Sequence, residues 1–123
     1  MTDQRVHKHP LGYFEAVEKP DSQTLEDYYA ERYFQSNQGN YRDKYSEEEL
    51  KFIHSKIHQK DEMVQRLRGG GAEPGRMLDV GCGEGFALTY FRAQGWDVEG
   101  LDYSSAGLTA MNPGCLDVLH RVT

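Results

Sequence analysis

The residues able to do chemistry lie close together in the second half of this 123-residue chain. Asp79-Val80-Gly81-Cys82-Gly83-Glu84-Gly85 sets a carboxylate two residues ahead of three alternating glycines. Such a loop lets backbone come close to a ligand and can aim N–H groups at it. Asp102 follows Gly83 by 19 positions, at the end of a second apolar run. An acid at that distance can accept both hydrogen bonds of a ribose diol. The pattern predicts a ligand built on an adenosine-like ribose.

Charge narrows the ligand further. Dinucleotides lay an anionic pyrophosphate on the helix after a G-x-G-x-x-G/A loop. Gly81 and Gly83 fit that fingerprint, but its last position is Phe86, which would crowd the approach of helix to strand. Glu84 would also set a carboxylate near the diphosphate, a repulsion of several kcal/mol as an upper bound if both groups were desolvated. No Gly-Lys-Ser/Thr follows, so the Walker pattern fails. A ligand carrying positive charge suits Asp79 and Glu84 better.

These residues need a scaffold. Arg76 to Val80 reads as a short buried strand, Phe86 to Gln94 as a helix closed by Gly95, and Trp96 to Asp102 as a second strand. Together they predict one βαβ unit with a right-handed crossover, hence an α/β fold. Ser104 or Ser105 can cap a short helix to about Met111, which Asn112-Pro113-Gly114 breaks, and residues 115–123 are too short to assign. Upstream, Ser46-Glu47-Glu48-Glu49 fits a capping box, with Tyr45 and Leu50 placed as a hydrophobic staple. Leu50, Ile53, Ile57, Val64 and Leu67 then share one helical face. An earlier helix starts at Leu25 behind a Thr24 cap and stops before Gln35. The expected organisation is a helical cap over residues 1–68, a glycine-rich linker over 69–75, and a ligand-binding domain over 76–123.

Met77-Leu78-Asp79-Val80-Gly81-Cys82-Gly83-Glu84-Gly85, with Val98-Glu99-Gly100-Leu101-Asp102-Tyr103-Ser104, resembles the first two motifs of class I S-adenosylmethionine-dependent methyltransferases. Leu25 to Phe34 is similar to the helical cap preceding that fold in many small-molecule members. The resemblance implies a Rossmann-like beginning and S-adenosylmethionine as cofactor. It implies that backbone at Gly81, Cys82 and Gly83, with Gly85 completing the loop, lines the methionine part. Asp79 would bind the ammonium, Asp102 the ribose hydroxyls, and Tyr103 would lie beside adenine. The family's sheet has about seven strands, and only 21 residues follow Asp102 here, so an incomplete sheet, a truncated chain and self-association through an open sheet edge are expected. No catalytic residue is assigned.

Other readings are weaker. With 14 Lys+Arg against 20 Asp+Glu, the net charge of −6 disfavours nucleic acid and anionic membranes as partners. No apolar run approaches the roughly 18 residues of a membrane span, and two cysteines make no disulfide framework. The chain is expected to be cytoplasmic. His54 and His58 are four apart, but they flank the apolar stripe without a third ligand, so no metal site is expected. Cys82, at a helix start, reads as a small loop residue rather than a nucleophile. Tyr28, Tyr29, Tyr33, Phe34, Tyr41 and Tyr45 suit either cap packing or an aromatic lid over a sulfonium. The leading expectation is methyl transfer to a small-molecule acceptor. The alternatives are a non-catalytic remnant or interaction module, and, disfavoured by Phe86 and Glu84, a nicotinamide-dependent oxidoreductase.

Overall fold

The computed structural model of the chain describes residues 5–29, 44–71 and 73–122. It opens on a hairpin, β1 (Val6–Lys8) antiparallel to β2 (Phe14–Ala16), with Val6 opposite Ala16. Gly12, at φ 95°, makes the turn, and His9 stacks on Tyr13 across it. The sequence assigned no element to residues 1–20 within the helical cap expected over 1–68. The turn chemistry of Pro10-Leu11-Gly12 and the extended residues either side form the hairpin there.

Helix α1 (Ser22–Asp27) starts three residues before the expected Leu25. The Asp21 carboxylate accepts the Thr24 N–H at 2.7 Å, so the acid of the Lys19-Pro20-Asp21 turn is itself the N-cap. The expected continuation toward Gln35, with Tyr33, Phe34 and Tyr41, lies outside the described residues. Helix α2 (Glu47–Leu67) carries the capping box: Ser46 Oγ accepts the Glu49 N–H, and Glu49 accepts the Ser46 N–H. Ile57 is buried and Ile53 packs beside it, whereas Leu67 is 80% exposed. Ten residues beyond Ile57, at 100° per residue, Leu67 falls about 80° off the stripe's centre.

The chemistry-bearing half forms a parallel sheet of three strands, β3 (Arg76–Val80), β4 (Asp97–Asp102) and β5 (Leu119–Arg121), in that spatial order. Arg76 is opposite Asp97, and Gly100 opposite Leu119. One βαβ unit was expected; the unassigned C-terminal stretch supplies a second crossover and a third strand. Helix α3 (Phe86–Ala93) joins β3 to β4. Helix α4 (Ala106–Met111) and a 3₁₀ segment (Pro113–Val118) join β4 to β5. Arg92 clips that segment to α3, donating to the Gly114 carbonyl and forking onto both carboxylate oxygens of Asp117.

Both crossovers step the same way across the sheet, so right-handed connections put all their helices on one face. That face holds the core: Leu88, Phe91, Val98, Leu108, Cys82, Cys115 and Ile57. Because Ile57 of α2 joins the same cluster as Leu88, the Gly69–Gly71 run is a connection within one packed body. The opposite face carries Leu78 and Val80, 54% and 74% exposed. No helix among the described residues is long and apolar enough to cross a membrane.

Two glycines are dictated by packing. A Cβ on Gly85, which sits at φ 78°, would lie 2.0 Å from Leu108 Cδ1, and one on Gly100 would lie 2.9 Å from Cys82 Sγ. Gly85→Ala must therefore bear left-handed strain and displace a fully buried leucine. The expected loss of stability is about 2–4 kcal/mol in urea unfolding. A change under about 0.5 kcal/mol, the range of neutral surface substitutions, would contradict this packing.

Candidate functional site

The loop between β3 and α3 turns on three left-handed glycines, with φ of 76°, 54° and 78° at Gly81, Gly83 and Gly85. The N–H groups of Gly81, Cys82, Gly83 and Gly85 are engaged internally. Gly81 and Cys82 both donate to the Leu101 carbonyl, at 2.8 and 3.0 Å, and Gly85 donates to the Cys82 carbonyl. Gly83 donates to Asp102 Oδ2 at 2.8 Å. The loop was expected to point free N–H groups at a ligand; these four do not serve that purpose. Helix α4 seats on the loop at Gly107, where a Cβ would come within 3.0 Å of the Gly83 carbonyl oxygen.

Asp102 joins two turns. Its Oδ2 takes the Gly83 N–H, and its Oδ1 takes the Ser104 N–H at 3.1 Å. A carboxylate has about four lone-pair sites, so each oxygen keeps room for one further donor.

Asp79 alternates with Val80 on β3 and shares the helix-covered side with Met77 and, across the register, Gly100. It is half-buried and has no hydrogen-bond partner among the described residues. Burial pushes its carboxyl above the usual range, the Lys60 charge opposes this, and the Asp102 charge adds to it. Asp79 and Asp102 are thus neighbours in charge, although only Asp102 opens into the hollow described next.

That hollow, about 420 Å³, lies at the carboxyl ends of all three strands, where ligands of open α/β sheets bind. Val80 and Gly81 line it from β3, Leu101, Asp102 and Tyr103 from β4, and Val122 from the residue after β5. Tyr29 supplies a wall from the N-terminal segment, its ring stacked on Tyr103 with centroids 5.1 Å apart. Arg121 holds the Tyr103 carbonyl from the far side. Of the expected site residues, Gly81, Asp102 and Tyr103 meet here; Cys82, Gly83 and Gly85 are buried behind them.

Cys82 packs under the loop against Gly100, and burial, with Asp102 and Asp79 adding to it, pushes its thiol up to about 11. That protonated thiol is no nucleophile at neutral pH. Glu84, expected to face an incoming diphosphate, turns to Tyr45 instead, whose hydroxyl donates to it at 2.5 Å. The Tyr45 ring packs edge-on against Phe86. Asn112 holds the Glu84 carbonyl, and burial raises the Glu84 carboxyl. His58 Nδ1 lies 3.1 Å from the Tyr90 hydroxyl, which donates to Asp61, so this histidine helps fasten α2 to α3. Among the described residues no cluster can hold a metal ion.

The sequence left Tyr29 and Tyr45 open between cap packing and an aromatic lid; Tyr29 lines the hollow, whereas Tyr45 meets Glu84 and Phe86. Their only signal was an aromatic-rich run, which does not say what each ring meets.

A family model described as "Methyltransferase domain" matches residues 52–113, from within α2 to the start of the 3₁₀ segment. A protein named ribosomal RNA small subunit methyltransferase C, from Alcanivorax borkumensis, is 35% identical over 49 residues, covering 39% of this chain and 15% of that protein. The chain therefore spans only a small part of that relative's length. No solved structure matches it.

The Asp79 environment gives a signed test. Its pKa is raised on folding, so the folded state binds the proton more tightly, and ionisation costs stability above the folded pKa. Asp79→Asn removes that cost. The variant is expected to melt higher than the parent at pH 7–8, with the gain shrinking as pH falls through the raised folded pKa and gone below about 4, the ordinary aspartate value. Melting curves showing the parent more stable at pH 8 would contradict the burial argument.

Proposed function

The chain belongs to the methyltransferase domain family, and we propose that it takes S-adenosylmethionine as methyl donor and a small molecule as acceptor. The carrying observation is the character of the glycine loop. Gly81, Cys82, Gly83 and Gly85 have their N–H groups bonded within the protein, while Asp79 and Asp102 stand beside them ionisable. A diphosphate needs donors and meets acids here. A ligand bearing an ammonium and a ribose needs acceptors, and it meets them.

The residues present fit such a ligand. Asp102 has lone pairs left for the ribose hydroxyls and opens into the hollow. Val80, Leu101, Val122 and the Tyr103 ring give apolar walls for a base. Asp79, with no hydrogen-bond partner among the described residues, is suited to an ammonium, whose charge would offset the cost of its burial. Gly81, Cys82, Gly83 and Gly85 keep side chains out of the way of the methionine part. The chemistry supplied by bound S-adenosylmethionine is an electrophilic methyl on a sulfonium, moved by direct displacement, so the chain's own task is positioning.

The relative's name gives it ribosomal RNA to act on. Here acids outnumber bases by 20 to 14, and nothing in that balance favours tracking a phosphate backbone. That supports a small acceptor.

Calorimetry tests the reading on the chain as it is. S-adenosylhomocysteine is expected to bind in the micromolar-to-millimolar range, about −8 to −4 kcal/mol. Asp102→Ala should abolish it. Tighter binding of a nicotinamide dinucleotide than of S-adenosylhomocysteine would sink the assignment, and binding of neither would favour a non-catalytic interaction module.

A further inference from the structure

The parallel sheet has two edges, and they differ. β5 forms one and is three residues long; β3 forms the other with five, Arg76–Val80. The bonds at the two ends of the β3–β4 ladder fix which way β3 aims its backbone. Asp97 donates to the Gly75 carbonyl, and Gly81 donates to the Leu101 carbonyl. Backbone groups alternate in direction along a strand, so the odd-numbered residues face β4. Arg76, Leu78 and Val80 therefore turn their N–H and C=O groups outward, where they meet no hydrogen-bond partner among the described residues. The same three residues place their side chains on the face opposite the helices, with Leu78 54% and Val80 74% exposed.

Such an edge is normally blunted by charge, proline or a bulge. Leu78 and Val80 carry none of these. The charges nearby are matched within one copy: Arg76 Nε lies 3.8 Å from Asp97, and His120 Nε2 lies 3.5 Å from Glu99. What docks here must bring a strand edge of its own, with an uncharged apolar strip beside it. β3 is itself such a strand. Paired antiparallel with its own copy about a two-fold axis through Leu78, it sets Arg76 opposite Val80, Met77 opposite Asp79, and Leu78 opposite Leu78. All three outward residues then form hydrogen-bonded pairs, each exchanging two bonds, and sliding the register by two residues loses a pair. No like charges stand directly opposite each other. A two-fold axis normal to the sheet also keeps both uncovered faces on the same side, so Leu78 and Val80 of the two copies join in one apolar strip.

We propose that two copies of this chain associate through β3 in that antiparallel register, continuing one sheet across the two-fold axis. A five-residue edge buries little area, so the dimer sits at the weak end of specific interfaces and depends on concentration. The association is independent of what the hollow binds.

Sedimentation velocity of the full chain, from about 10 μM to about 1 mM, tests this. The parent is expected to pass from one copy to two across that range. Leu78→Lys and Leu78→Glu each set a charge against its own copy, so each alone should stay monomeric. Because Leu78 is exposed in the single copy, both should keep near-parental melting at low concentration. An equimolar mixture of the two should dimerise again, since the introduced ammonium then faces the introduced carboxylate. Leu78→Pro removes only an outward N–H, which an edge strand tolerates, and it should be monomeric too should a charged variant fail to fold. A parent that stays monomeric to 1 mM overturns the proposal and leaves the edge to a different polypeptide segment or protein. Association that persists in all three variants places the contact elsewhere and overturns it equally. Folded charged variants that stay apart when mixed show that Leu78 does not meet itself, and growth beyond two copies shows face stacking instead; either result defeats the proposal.

Discussion

The site depends on one carboxylate. Asp102 ends β4 and accepts from Gly83 on one oxygen and Ser104 on the other. The first bond pins the glycine loop to the neighbouring strand; the second turns the chain toward α4. Bonds to a charged acceptor are about twice as strong as neutral ones. Removing this acceptor would leave two half-buried N–H groups unpaired, at about 1–3 kcal/mol each. Helix α4 in turn rests on the loop through Gly107, so loop, helix and strand end share one anchor. The residue best placed to meet a ribose is also the one that builds the place where a ribose would sit.

Glycine loops at strand ends are usually discussed as donors to phosphate. This one is poorly suited to that use, because its own neighbours take the N–H groups of Gly81, Cys82, Gly83 and Gly85, and it is bordered by acids. The balance of donors and acceptors, rather than the glycine count, decides what charge such a loop tolerates. Glu84 illustrates the point: it leaves the approach to the loop and joins Tyr45, tying the segment before α2 to the start of α3.

Much of the scaffold was legible. The strands at 76–80 and 97–102, the helix from Phe86 and the capping box at Ser46 all follow from local rules of period, turn and cap. The third strand was not legible, because Leu119–Arg121 is three residues long and is a strand only through pairing with Gly100–Asp102. The hairpin was lost for a similar reason, its exposed apolar residues having no periodicity to read. At the site, Asp102 and the glycines could be found by spacing alone. Tyr29 could not, since its role depends on which distant ring it meets. Asp79 was found, but its half-buried state, with no hydrogen-bond partner among the described residues, is a property of the fold.

The placement of Cys82 has a consequence of its own. Its sulfur lies beneath the glycine loop against Gly100, and its thiol stays protonated at neutral pH. An oxidant or alkylating agent can reach it only after the loop has lifted from the sheet. This side chain is therefore a natural reporter of how often the loop breathes, and whatever clamps the loop down would shield it from the cell's electrophiles as well.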